Sequence, residues 1–258
     1  MKIIRFDYKG QANYGVLEES GKIKKIKGTI DEIPLNICSS PVLNSEEITL
    51  LAPCEPTKII GIGLNFIDHI ESVGLNIPEE PYIFIRPSSS LNAHNGTVII
   101  NNPDHYVQYE GELAVVMGKK CSKIDPKEAR KHILGYTCAN DVTDKTLFLK
   151  DGHFGRGKAF DTHCPVGPLI ETELDISSVS ITTTVNGEIR QNGTVKNMVF
   201  SVEFLVSFLS EIMTLYPGDL IITGSPAGVG PLVGGDVVEV AIPGIGTLFN
   251  QVLYSNEV

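Results

Sequence analysis

No apolar run in the 258-residue chain approaches the roughly 18 residues that span a bilayer. The opening MKIIRFDYKGQANYGVLEESG carries a basic residue but no uninterrupted apolar segment leading to a small-residue cleavage site. A soluble, unexported, cytoplasmic protein without a membrane partner is expected. Cysteine is sparse: Cys38, Cys54, Cys121, Cys138 and Cys164 are odd in number and show no CxxC spacing, which argues against a disulfide framework or a zinc knuckle and for free thiols. Basic charge is short as well. Lys and Arg number 21 against 31 Asp and Glu, a net charge of -10, whereas nucleic acid and anionic membranes need a concentrated basic surface. TGSPAGVG lacks the G-x-x-x-x-G-K-[ST] pattern and GIGLNF offers only G-x-G, so nucleotide binding is not expected. Gly224, Gly228 and Gly230 read as tight bends, either turns alone or bends that bring backbone N–H groups to a site.

What is present is ordinary globular material. Apolar content of 42% and charged content of 20% suit one large domain, or a main domain with a small appendage. KIIRFDY, YGVLEE and KIKKIKG read as short strands, and the prolines of ITLLAPCEPTK place a boundary near residue 55. KIIGIGLNF, PYIFIRP and GTVIINN continue the β-dense pattern. DPKEARKHI predicts a helix with Asp125 as N-cap. ISSVSITTTVNGEIRQNGTV predicts a hairpin turning at Asn186-Gly187. In SVEFLVSFLSEIM, Val202, Leu205, Val206, Leu209, Ile212 and Met213 fall at helical spacing. The expected architecture is β-rich α+β, with units at 1–55 and 56–258 and no run of βαβ units.

One strand-like run, VQYEGELAVVMG, holds two acids. Alternation sends Glu110, Glu112, Ala114 and Val116 to one face and Gly111, Leu113 and Val115 to the other, so both faces are largely apolar. An unpaired carboxylate there costs several kcal/mol, of order 3–5, or becomes protonated. Either the acids lie at a wet strand end, or they pair with Arg or Lys, or they hold a divalent cation. Asp141, just past the apolar segment of GYTCANDV, is a third carboxylate. Three carboxylates suit Mg²⁺, Mn²⁺ or Ca²⁺, which choose oxygen, and leave positions of an octahedral ion open to water or substrate.

GLNFIDH, YEGELAVVMGK, GYTCANDV, GKAFDTHCPVGP, VNGEIRQNGT, LYPGDLIITGSPAGVG and GIGTLFNQV resemble, in order and spacing, successive signatures of the fumarylacetoacetate hydrolase family. The resemblance covers about residues 56 to 255, and the preceding segment is similar to a short N-terminal domain of many bacterial members. It implies a mixed β-roll, a homodimer, and a Mg²⁺, Mn²⁺ or Ca²⁺ ion held by Glu110, Glu112 and Asp141. It places His69 as general base and Lys158 beside the metal, supporting charge on a 2-oxo acid or β-diketone substrate. Departures stand beside the matches. The family's Glu three residues after the histidine is Ser72 here, with Glu71 one residue early as a candidate acid. NDVTDKTLF has Lys145 and Phe148 where relatives show Arg and Gln. Arg86, Lys145, Ser225 and Gly224 are the expected substrate contacts.

The expected activity is keto-enol isomerisation or C–C hydrolysis of a dicarboxylic catabolic intermediate, of the 2-hydroxyhepta-2,4-diene-1,7-dioate isomerase or acylpyruvate hydrolase sort. Oxaloacetate decarboxylation is the near alternative. A metal-binding member with a weakened site is the alternative of another class, supported by Ser72, Lys145 and Phe148.

Overall fold

β-Branched residues and period-two alternation dominate the chain, and it folds into three sheets with only three α-helices among the described residues. The computed structural model describes residues 1–33 and 37–257, apart from the side chains of residues 37–42. The helices are α1 (Ile67–Ser72), α2 (Lys145–Asp151) and α3 (Val202–Ile212). None is long and apolar enough to cross a membrane.

The large sheet runs Ile37–Asn44, Lys22–Ile26, Gln11–Leu17, Lys2–Tyr8, Cys164–Glu171, Ile133–Asn140, Gly111–Met117, Leu220–Ile222, Ile59–Gly63, Tyr82–Arg86. The segment before residue 55 therefore shares this sheet, through Lys2 opposite Glu171 and Ile3 opposite Ile170. A smaller sheet joins Thr143–Asp144, Val107–Tyr109 and Gly230–Leu232. The third orders Glu188–Thr194, Ser180–Val185, Val237–Ile242, Gly246–Tyr254 and Val98–Ile100.

Gly111–Met117 lies at the centre, buried along its whole length. Its Leu113, Val115 and Met117 join a core cluster with Val202, Leu205, Val206 and Leu209 of α3. Ala114 and Val116 join a second cluster with Ile59, Val166 and Ile222. Burying such a Val or Leu contributes about 1.5–3 kcal/mol, so this strand is fixed from both sides. The Ser201 hydroxyl caps α3 by accepting the Phe204 N–H at 3.3 Å.

The Asn186-Gly187 turn takes positive φ at both residues, 53° and 79°, as a two-residue hairpin requires. The segment expected as a helix after Asp125 is instead a 3-10 helix, Pro126–Lys131. Asp125 still caps it, accepting the Lys127 N–H at 2.9 Å. Cys54, Cys121, Cys138 and Cys164 are free and buried; the side chain of Cys38 lies outside the described residues.

Candidate active site

Two neighbouring strands change sheets at the same level, and the acids sit at the corner. Gly111 pairs with Asn140 in the large sheet, while Gln108 pairs with Thr143 in the small one. Between them the Asp141 N–H donates to the Glu110 carbonyl at 2.8 Å, and the Glu110 N–H donates to Asn140 Oδ1 at 3.0 Å. Glu110 is thus a bend residue and not, as alternation predicts, a member of the strand that carries Glu112. Carboxylate oxygens of Glu110, Glu112 and Asp141 lie within 4.8 Å of one another.

Each acid is held differently. Glu112, 1% exposed, accepts the Gly224 N–H at 2.7 Å. Burial, then the charge of Asp141, pushes its carboxyl well above the usual carboxylate range. Burial also acts on Glu110, but Lys158 and hydrogen bonds from Thr143 and Gln108 outweigh it and hold that carboxyl below its ordinary value. Thr143 Oγ1 donates to Glu110 Oε1 at 2.7 Å, and Gln108 Nε2 at 2.6 Å. Asp141, 1% exposed, is bound by Arg86 on one oxygen and Lys158 on the other. Lys158, 2% exposed, also lies 3.2 Å from Glu110 Oε2 and 5.0 Å from the centre of the Phe84 ring.

These residues fit a divalent cation. When ionised, the three carboxylates face two cations, which leaves one surplus negative charge in a buried cluster and Glu112 without a cationic partner of its own. An all-oxygen donor set with surplus negative charge is the chemistry that hard ions select.

A cavity of about 370 Å³ opens on Glu110, at the small end of the roughly 300–1,000 Å³ usual for ligand sites. His69, Lys145, Gln108 and Thr143 share its lining with Leu64, Val73, Leu75, Tyr82, Phe148 and Phe154. Burial lowers the His69 pKa below its ordinary value, against the opposing charges of Glu110 and Asp68. Burial thus disfavours the protonated ring, and its buried Nδ1 has no hydrogen-bond partner.

Arg86, Glu71, Gly224 and Ser225 lie outside the cavity lining. At 0% exposure Arg86 donates to Asp141, to the Val142 carbonyl at 3.2 Å and to the His163 carbonyl at 2.8 Å, so its donors are committed to holding Asp141 in place. Glu71 is exposed and outside the cavity lining, because two residues along α1 turn it about 200° from His69. Gly224 directs its N–H at Glu112, and with φ at 95° an added Cβ would meet Asn65 Cβ at 3.0 Å. Ser225 is buried, and Ser72 donates its hydroxyl to the His69 carbonyl at 2.7 Å.

Sequence reasoning missed Gln108, Thr143, Asn65 and Phe154. Gln108 stands two residues before Glu110, a spacing that signals a shared strand face. Asn65 offers no such signal: it joins α1 to distant segments, donating to the Thr223 carbonyl at 2.8 Å and accepting the Phe200 N–H at 2.8 Å.

Residues 58–253 match the family model described as fumarylacetoacetate (FAA) hydrolase C-terminal, and residues 1–53 match one described as Rv2993c-like, N-terminal. The 2,4-didehydro-3-deoxy-L-rhamnonate hydrolase of a Sphingomonas species is 36% identical, over 98% of this chain and 96% of that protein. Among solved structures, 5-carboxymethyl-2-hydroxymuconate delta-isomerase from Mycobacterium smegmatis superposes with a TM-score of 0.91 at 36% identity, covering 99% of this chain and 100% of that one. Maleylpyruvate hydrolase from Sphingobium sp. SYK-6, solved with manganese(II) and pyruvate, superposes with a TM-score of 0.82 at 26% identity, covering 98% of this chain and 99% of that one. With a family model matched along most of its length and relatives above 30% identity over nearly all of it, the protein belongs to the fumarylacetoacetate hydrolase family.

Proposed function

We propose that this protein is a divalent-metal-dependent enzyme that moves a proton between the keto and enol forms of a small 2-oxo acid. The observation that carries this reading is His69, its buried Nδ1 without a hydrogen-bond partner, lining the same cavity that opens on Glu110. Glu110, Glu112 and Asp141 would hold Mn²⁺ or Mg²⁺; the manganese and pyruvate reported with the maleylpyruvate hydrolase support that assignment. A divalent cation held there would act as a Lewis acid and stabilise the negative charge that develops on a 2-oxo acid as its enolate forms.

The chain's own residues do the rest. His69, as free imidazole, takes a proton from the substrate carbon next to the keto group and, as imidazolium, returns it to the oxygen. Lys158 keeps Glu110 and Asp141 together and adds positive charge next to both carboxylates. Ser72 gives its hydroxyl to the His69 carbonyl and Glu71 lies outside the cavity, so neither position supplies His69 with a second acid-base group; Asp68, also on α1, is outside the cavity lining and accepts the Ala227 N–H at 3.3 Å. That favours proton transfer by one base over activation of water by a pair. C–C hydrolysis of acylpyruvates is the second reading, supported by the hydrolases among the relatives.

The test follows ultraviolet absorbance of oxaloacetate, acetylpyruvate, phenylpyruvate and a hydroxymuconate-type diene diacid with Mn²⁺ or Mg²⁺, with and without EDTA. Turnover abolished by EDTA is expected. Turnover that EDTA leaves intact would remove the metal from the reaction, and flat traces with metal bound would remove the reaction.

A further inference from the structure

One buried N–H beside the acids has no strand to receive it. Leu220–Ile222 pairs with Ala114–Val116, and the Thr223 N–H still reaches the Leu113 carbonyl at 3.2 Å before the chain turns away at Gly224, with φ at 95°. Gly111, between Glu110 and Glu112, presents its N–H on that same side, where a buried donor needs another acceptor. Gln191 provides one from the facing hairpin. At 1% exposure its Oε1 accepts the Gly111 N–H at 2.9 Å, and its Nε2 donates to the Pro226 carbonyl at 2.8 Å.

Pro226 stands in a loop that touches both halves of the site. The Gly224 N–H donates to Glu112 at 2.7 Å, and the Ala227 N–H donates to Asp68, the residue before His69, at 3.3 Å. Tyr109, the residue before Glu110, gives its hydroxyl to the Gly228 carbonyl at 2.8 Å. Loop and hairpin are in close contact: a Cβ added at Gly228 would run into the Arg190 carbonyl, and one added at Gly193 would run into Pro226. Gln191 itself is outside the cavity lining, so it acts only through the groups it holds.

We propose that Gln191 is a positioning residue that sets the strand of Glu110 and Glu112 and the loop 224–228 in one frame, and, through Asp68, the helix α1 that carries His69. Its bearing on catalysis rests on the metal and base roles proposed for those groups. The amide is specific to this task, since it accepts at one atom and donates at the other. An ionised carboxylate would set an oxygen against the Pro226 carbonyl, and an alkyl chain would leave both backbone groups unpaired.

Gln191→Met keeps the length and bulk of the side chain and removes both hydrogen bonds. It should weaken Mn²⁺ binding about tenfold by calorimetry and lower kcat by about tenfold. Thr183→Val is the control. Thr183 is equally buried and pairs with Gln191 across the hairpin, and its hydroxyl has no partner among the described residues, so its Kd for Mn²⁺ should stay within about twofold of wild type. An unchanged Kd in Gln191→Met, or an equal loss in Thr183→Val, would overturn the positioning role. Amide hydrogen exchange of the metal-free protein reads the frame without metal or turnover, so a wild-type protein that binds no Mn²⁺ would count against the acids and not against Gln191. In Gln191→Met the Gly111 and Ala227 N–H groups should exchange about tenfold faster or more. In Gln191→Glu, which retains an acceptor for Gly111 and loses the donor to Pro226, Ala227 alone should exchange faster, and this variant decides the matter if Gln191→Met does not fold. Wild-type exchange at Ala227 in Gln191→Glu would overturn the link between hairpin and loop.

Discussion

Asp141 gives its backbone N–H to the carbonyl oxygen of Glu110 at 2.8 Å, at the corner where both chains pass from one sheet to another. The two carboxylates are therefore spaced by a backbone hydrogen bond, with Glu112 two residues along from one of them. The spacing of the three acids is a property of strand register, and a one-residue slip in either strand would take it apart.

Glu112→Gln should weaken Mn²⁺ binding by about 100-fold or more, since it removes an anionic oxygen from a three-carboxylate set. The same change should raise the melting temperature of the metal-free protein, because a neutral amide replaces a buried carboxyl crowded by Asp141. Calorimetry and thermal unfolding read the two effects separately. Unchanged affinity would move the cation elsewhere.

Stabilisation by metal should grow with pH. The Glu112 carboxyl is raised in the fold above its unfolded value, so its contribution to stability is present at low pH and is lost as pH rises through the folded pKa. A cation offsets that loss and needs deprotonated ligands. The melting-temperature shift on adding Mn²⁺ should be larger at pH 8 than at pH 5.5. An equal shift at both would mean Glu112 does not change charge on binding.

His69→Ala should leave Mn²⁺ affinity within about twofold and lower kcat by about 100-fold or more, the usual size of a general-base contribution. Because burial lowers the His69 pKa, the acid limb of the wild-type kcat/KM profile should fall below pH 6.5. An active Ala variant would place the base elsewhere.

Arg86→Met should cost about 3–5 kcal/mol of stability by leaving Asp141 with one buried cation instead of two. Urea unfolding measures this. A variant of normal stability with a raised KM would return Arg86 to the substrate.

Ser72→Glu places a carboxylate one turn beyond His69, on the neighbouring position of α1. Hydrolysis of acetylpyruvate relative to its enolisation should rise severalfold, by about 3–10, if a paired acid and base are what water activation lacks. An unchanged ratio would separate the reaction choice from this position.

The sequence was informative where one element decides the outcome. Glu110 and Glu112 stand out against an apolar run, Asn186-Gly187 dictates its turn, and the helical spacing from Val202 marks α3. It was misleading where pairing between distant segments decides. Arg86 reads as a cation free to meet substrate, yet its strand ends beneath Asp141, 55 residues away, and its donors are used there. Glu71 fails for a local reason, since α1 forms a true helical turn and carries it away from His69. The 3-10 geometry after Asp125 was not legible, because a Pro-initiated cap looks the same before either helix type.

Glu110 and Asp141 stand at the corner between two sheets and Glu112 on the central strand, where Leu113, Val115 and Cys138 are core residues, whereas Val73, Leu75 and Phe148 belong to none of the three core clusters. Substitution at those three positions therefore costs little in folding, while substitution beside the acids risks the whole molecule. Mutation can reshape that side of the cavity almost neutrally, with the acid cluster inherited unchanged.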